Sequence, residues 1–414
     1  MDRGRFVKLA GAGAGAAFAG SLATAGTARA AATIPLDVGV IVPSESHYAK
    51  LDDNLLDGLA HGFARARTIG GAIDANIVHK SIVGGYQGAL TVAEALLDDG
   101  ADVVVAGVSA PVAKRLAPLF AERRKPLIVA NVGAHVVLPR DRSPYVLHNS
   151  LLYWQASFVA GQYAGRGGGV NRKAFVALAQ ADSGYDLAYA FKQGFESEGG
   201  SVIGHGVTHA QAGDNGLAKL VAAVRESGAQ LVYGIYSGAH AVEFVQAMSG
   251  VGVDVLVGGF AVEDYLLAKI GGAGVGAVSV ASWTLSRKSK ANQAFTSSFA
   301  AKFGRRADPF AALGYDTAAL IVEGVHRARR GVGIRRLVEA LGGASIESPR
   351  GRLTVDAASN TVTTRLAVRS VDRSSRGPVN GDLGLAQPIS AFPAALASLA
   401  TEPRSGWVNE YLCA

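Results

Sequence analysis

The chain has one cysteine, Cys413, next to its last residue. A single thiol cannot form an internal disulfide, so the fold must stand on its core. No histidine neighbours it in sequence, so it reads as a surface thiol rather than a nucleophile. A cysteine at that end also cannot carry the lipid of a bacterial lipoprotein, which would sit at a signal cleavage site. Glycine-rich phosphate loops are missing too. The first turn after a predicted strand is Pro43-Ser44-Glu45-Ser46, which cannot serve as a dinucleotide fingerprint. Gly165–Gly169 is rich in glycine but follows a helical pattern instead of opening one. There is no Gly-x-Ser-x-Gly elbow and no Walker loop. The nine histidines are scattered. His205 and His209 are spaced as zinc ligands on a helix are, yet they fall on a predicted strand and read as surface residues. Asp182 and Asp316 stand without an evident partner. These absences argue against an enzyme, a metal centre and a cofactor. Beyond the first thirty residues no long uncharged apolar run occurs, so the mature chain is expected to be soluble.

What is present is small and apolar. Of 414 residues, 49% are hydrophobic and 53 are glycine. That length allows two or three domains. The net charge of +7 falls to +4 once residues 1–30 are set aside, and no basic patch is interleaved with aromatics. Nucleic acid is therefore not an expected partner. Residues 1–30 read as an export signal. Arg3, Arg5 and Lys8 are basic, Leu9–Ala25 is apolar, and Ala28-Arg29-Ala30 is a small-x-small cleavage site. The start resembles a twin-arginine signal with its arginines split by Gly4, which leaves the export route open. Cleavage after about Ala30 would place the mature chain in a periplasm.

The stretch Asp102–Ala134 organises the rest. Val103–Ala106 is a short β-branched run, as in a strand buried on both faces. Gly107–Ala110 makes a small-residue turn. Pro111 suits a first helical turn, with Val112, Leu116, Leu119 and Phe120 on the apolar face of the helix that follows. Leu127–Ala130 is a second buried strand, followed by Asn131-Val132-Gly133-Ala134. Ligands of open α/β sheets bind at such carboxyl ends. Strand and helix patterns alternate from Leu36 to Ser282, with a restart near Tyr145–Asn149, so the fold class is α/β with a doubly wound parallel sheet in each of two halves. Helices follow at Ala291–Phe303, Pro309–Arg329 and Ile334–Leu341. Closing strands are expected at Arg352–Val355 and Thr363–Arg369. From Val371 the prolines predict an irregular tail, whose end, with Trp407 and Tyr411, is expected to dock.

These pieces resemble a known family. Gly39-Val40-Ile41-Val42-Pro43, Ala106-Gly107-Val108-Ser109, Gly184–Phe195, Tyr236–Val245 and Ala311–Ala318 occur in the order and spacing of the Leu/Ile/Val-binding group of ABC-importer solute-binding proteins, with the type 1 periplasmic fold. The resemblance covers Leu36–Arg369. It implies two Rossmann-like lobes joined by a three-crossover hinge, closing on a ligand in the cleft. Lobe 1 would be residues 36–149 plus 284–345, lobe 2 residues 150–283 plus 346–370, and 371–414 a tail. It implies a monomer with two partners, a small carboxylate and the importer's membrane subunits. A periplasmic sensor that presents a solute to a receptor is the alternative.

By the same resemblance Ser109 and the loop Asn131, Val132 and Gly133 would hold the ligand carboxylate. Donors at a helix N-terminus and a small-residue loop suit an anion. Ser109 would otherwise be a plain N-cap, and Asn131–Gly133 an ordinary turn. Tyr48, Tyr185 and Tyr236 would line the cleft, or serve as rim and core aromatics. Trp154 would stack on the ligand or pack the hinge. Amino-acid-binding members carry an acid where this chain has Phe260. Glu263 and Asp264 follow three and four residues later, where a helix is expected to begin. Phenylalanine cannot pair with an ammonium, so an aromatic or branched apolar acid is the expected ligand; an alignment shifted by three residues would restore an acid and make it a branched-chain amino acid.

Overall fold

The computed structural model describes residues 33–44, 50–68, 73–82, 85–167, 171–180, 185–209, 216–329, 333–386 and 394. The export signal, Tyr48, Asp182, Cys413 and the tail's last aromatics lie outside them.

The chain begins with β1 (Ile34–Pro43), α1 (Leu51–Thr68), β2 (Ile73–Ile82), α2 (Tyr86–Asp98), β3 (Val103–Ala106), α3 (Ala110–Arg123), β4 (Leu127–Asn131) and β5 (Val146–Ser150). It then crosses to a second sheet with α4 (Tyr153–Gly167), β6 (Lys173–Ala179), α5 (Tyr185–Glu196), β7 (Ser201–Thr208), α6 (Gly216–Ser227), β8 (Leu231–Ile235), α7 (Gly238–Met248), β9 (Asp254–Gly258), α8 (Asp264–Ile270) and β10 (Val278–Ala281). It returns as α9 (Lys290–Phe303), α10 (Pro309–Arg329), α11 (Leu337–Ala340), β11 (Ser345–Ser348), β12 (Gly351–Asp356) and β13 (Thr361–Thr363). It crosses a third time to β14 (Leu366–Ser374) and β15 (Gly377–Ala386). Among the described residues the first sheet runs β11-β12-β13-β5-β4-β3-β1-β2 and the second β15-β14-β10-β9-β8-β6-β7. The strands from β1 to β5 and from β6 to β10 pair in parallel, as buried doubly wound sheets do.

The β-branched runs explain the layers. In β3 every residue is buried. Val103 and Val105 face the core under α1 and α10, while Val104 and Ala106 face α2 and α3. The first of these cores continues through Leu151, Tyr153 and Trp154 into the inner face of the second sheet, at Val176, Leu178 and Tyr233. The outer face of that sheet packs on α6, α7 and α8. No helix among the described residues is long and apolar enough to cross a membrane.

Three sequence expectations need correction. The strands of residues 345–363 belong to the first sheet, not the second. Leu353, Val355 and Val362 are buried in the first core, and Thr361 pairs in parallel with His148 of β5. The chain is regular past Val371, since β14 runs to Ser374 and turns into β15. β15 reads GPVNGDLGLA, a poor strand sequence, and its antiparallel pairing with β14 supplies what propensity does not. Asp316 has a partner, described below.

Candidate functional site

The carboxyl ends of β3 and β4 are tied together. Ser109 is the N-cap of α3; its hydroxyl accepts the N–H of Val112 at 3.4 Å, and the residue is fully buried. The Asn131 side chain donates to the Val108 carbonyl at 2.8 Å and accepts the Gly133 N–H at 3.0 Å. One amide thus joins both turns of the organising unit. The carbonyls of Asn131, Val132 and Gly133 accept the N–H groups of Leu151, Tyr153 and Trp154 at 2.9, 3.0 and 2.9 Å. The loop is therefore clamped to the first crossover. Gly133 has φ +76°, and a Cβ there would lie 2.5 Å from Ser150 Oγ, so the turn requires glycine. Sequence reasoning named Ser109, Asn131, Val132, Gly133 and Trp154, and the structure brings all five together. Trp154 itself is buried in the first core.

Phe260 stands apart from that loop. It lies in a 3-10 turn, Gly259–Val262, after β9. Its ring meets Tyr153 edge-on at 4.9 Å and stacks on Phe310 of α10 at 5.9 Å. Tyr153 leans over Gly258, where any Cβ would clash with its ring. A small apolar cavity lies between them, lined by Leu151, Tyr153, Phe260, Glu263, Trp283 and Pro309.

Glu263, one turn away, is buried and shares a charged contact with Arg369 of β14 at 3.5 Å. Arg369 also donates to Ser279 Oγ at 3.1 Å and to the Gly259 carbonyl at 2.8 Å. Burial pushes the Glu263 carboxyl up to about 8; Arg369 pulls it down, while Asp264 and Asp308 push it further up. Asp308, which caps α10 through the Ala311 N–H at 2.8 Å and also accepts from the Asn54 side chain, is pushed up to about 6 by burial.

Tyr236 is placed elsewhere. Its ring stacks on Phe244 at 4.2 Å inside the second core, with its hydroxyl 3.1 Å from Thr208 Oγ1. Tyr185 is the first residue of α5. Tyr48 lies outside the described residues.

Sequence reasoning missed three buried groups. Arg350, fully buried, binds Asp316 Oδ2 at 2.5 Å, Asn149 Oδ1 at 2.6 Å and the Ser150 carbonyl. This network fastens β12 and α10 to the start of the first crossover. Arg369 does the equivalent in the second sheet. Asp186 of α5 accepts the Val136 N–H at 2.8 Å from the loop after β4. Partners so far apart in sequence leave no local pattern; only the presence of an arginine in an apolar strand hints at burial with a counterion. The β4–β5 connection has a single 3-10 turn, Pro139–Asp141, in place of a helix. That leaves a cavity of about 210 Å³ beside α3, lined by Lys114, His135, Arg140, Asp141 and His148 among others. Burial pushes the His148 imidazole down to about 4. No cluster of three or more metal-ligating side chains occurs among the described residues.

The sequence profile of the family described as periplasmic binding protein matches residues 35–378. The Leu/Ile/Val-binding protein homolog 6 of Brucella melitensis is 23% identical over 360 residues, covering 84% of this chain and 91% of that protein. Among solved structures, an ABC-transporter solute-binding protein from Rhodopseudomonas palustris in complex with 3,4-dihydroxybenzoic acid superposes with a TM-score of 0.75 at 20% identity, covering 86% of this chain and 98% of the other. A second from R. palustris, in complex with benzoate, gives 0.72 at 24% identity with the same coverage. An ABC-type branched-chain amino acid transporter protein from that species gives 0.68 at 18% identity, covering 84% of this chain and 96% of the other.

Proposed function

The chain belongs to the periplasmic binding protein family, and from that premise we propose that it is the solute-binding component of an ABC importer, exported to the periplasm and working as a monomer without catalysis. Its ligand is a small carboxylate with an aromatic or branched apolar body. The carboxylate sits against Ser109 and the loop Asn131–Gly133, at the first turn of α3, where backbone N–H groups suit an anion. The two sheets with their helices act as lobes, and the ligand bridges them and shifts the population toward the closed form by hinge closure about the three crossovers.

One observation carries the ligand class. Phe260, which the resemblance sets where amino-acid-binding members carry an acid, is packed against Tyr153 and Phe310. The nearest acid along the chain, Glu263, is engaged with Arg369 and has its carboxyl pushed up to about 8. A ligand ammonium would find an apolar ring and no free carboxylate there, and an unpaired buried cation is costly. The benzoate-type ligands of two structural relatives agree with this chemistry.

A thermal-shift panel tests it, pairing each amino acid with its amino-free analogue and adding benzoates and phenylpropanoid acids. A ligand that binds only the folded state raises the Tm with concentration. Stabilisation by aromatic or branched acids and not by leucine or valine is the expected result. Stabilisation by leucine or valine overturns the ligand class. No shift with any carboxylate overturns the carboxylate reading.

A further inference from the structure

Asp186 sits in the first turn of α5, where a carboxylate would ordinarily face solvent and favour the helix N-terminus. Here it is 2% exposed. Its Oδ2 accepts the Val136 N–H at 2.8 Å and lies 3.8 Å from His135 Nδ1, a ring that is itself buried. α5 packs on the second sheet, whereas His135 and Val136 follow β4 of the first. A buried carboxylate accepting a backbone N–H from the opposite half ties the two halves together at that point.

The segment it grips is the continuation of Asn131–Gly133. From below, that loop is clamped by the N–H groups of Leu151, Tyr153 and Trp154. Asn131 braces it internally. Asp186 supplies a hold from the other sheet, four residues after Val132. Val132, Ala134, Val136 and Leu138 are all buried, so the loop has little freedom while that hold is made.

We propose that Asp186 is a positioning residue beside the ligand site: carried by the second half, it holds the segment Ala134–Val136 that continues the first half's loop Asn131–Gly133, and it latches the halves together. This rests on the hinge reading above. It couples the order of that segment to closure, while Gly133 stays braced by Asn131.

The test is amide hydrogen exchange with small-angle scattering on the ligand-free protein, comparing wild type with Asp186→Ala and Asp186→Asn. Exchange reports local opening free energies, so loss of one acceptor appears at its own donor. In Asp186→Ala the Val136 amide should exchange on the order of tenfold faster, with the radius of gyration raised and the Gly133 amide unchanged, because its acceptor lies within its own loop. Asp186→Asn keeps an oxygen for Val136 but no charge for His135, so its acceleration should be smaller than that of the alanine variant. A role confined to the helix terminus would quicken the first-turn amides of α5 and leave Val136 and the radius unmoved; that result overturns the proposal. Equal acceleration at Val136 and Gly133 also overturns it. If the alanine variant does not fold, Asp186→Asn decides: a faster Val136 amide beside an unchanged Gly133 supports the latch, and an unchanged Val136 overturns it. No ligand enters the measurement, so a failed ligand screen and a failed latch are separate outcomes.

Discussion

Phe260 and Phe310 stack with ring centroids 5.9 Å apart and planes 16° from parallel, one following β9 of the second sheet and the other opening α10 against the first. Both rings are buried. Aromatic pairs of this kind contribute about 0.5–1.5 kcal/mol beyond the area they bury. Phe260→Ala should weaken benzoate binding by about tenfold, roughly 1.4 kcal/mol, measured by calorimetry on the folded variant. Full affinity in that variant would remove Phe260 from the ligand site.

The Glu263 carboxyl gives a pH signature. Its folded pKa, pushed up to about 8, lies above the ordinary value of 4.5. A raised acid contributes stability that is complete below pH 4.5 and is lost as pH climbs through 8. Glu263→Gln cannot titrate. The variant should therefore gain on wild type by about 1.4 kcal/mol per pH unit across that window, read as the difference between paired urea titrations. A difference that stays flat from pH 5 to 8 would contradict the raised pKa. Asp308, pushed up to about 6 and coupled to Glu263, acts in the same direction at lower pH, so the comparison is clearest above pH 6.

Arg350 and Asp316 form a buried pair, with burial pushing the Asp316 carboxyl up and Arg350 pulling it down. Removing one member leaves the other charged in an apolar place. Arg350→Met should cost about 3–5 kcal/mol in urea unfolding, and Arg350→Met with Asp316→Leu distinctly less. Equal losses for the single and double variants would mean that packing, not charge, sets the cost.

Gly133 and Gly100 separate strain from crowding. Both have positive φ, +76° and +97°. A Cβ on Gly133 would meet Ser150 Oγ at 2.5 Å and Leu152 N at 3.1 Å, whereas one on Gly100 meets nothing within 4 Å. Gly100→Ala should therefore cost only the backbone penalty, about 1 kcal/mol. Gly133→Ala should cost more and also lower carboxylate affinity, because the loop must move. Similar Tm losses for the two would show that the loop gives way freely.

The organising unit was legible because its signals are local. Val103–Ala106 and Leu127–Ala130 are buried runs, Pro111 sits at the helix start, and Ser109 caps it. The allocation of late strands to sheets was not legible. β12 and β13 carry ordinary alternating patterns, and only their pairing next to β5 decides which sheet they extend. The same holds for the buried charges. Arg350 and Asn149 are 201 positions apart, and neither side's local sequence announces the other. Phe260 was legible as a candidate through the resemblance alone. Its contact with Phe310 was not, since it depends on how the halves meet. Tyr236, expected to line the cleft with Tyr48 and Tyr185, has its ring against Phe244 because apolar neighbours on α7 cover it.

The return of the chain to the first sheet has a consequence for biogenesis. β13 cannot dock beside β5 until residues 361–363 have emerged, by which time all of the second sheet's parallel strands have been made. The parallel strands β6–β10 are thus an insertion inside the first sheet, and their own folding brings the two ends of that insertion together. Pairing across so long a separation is slow unless the intervening chain is already compact. A lesion in β6–β10 should therefore leave the edge at β5 open, a bare strand on an unfinished sheet and a template for aggregation.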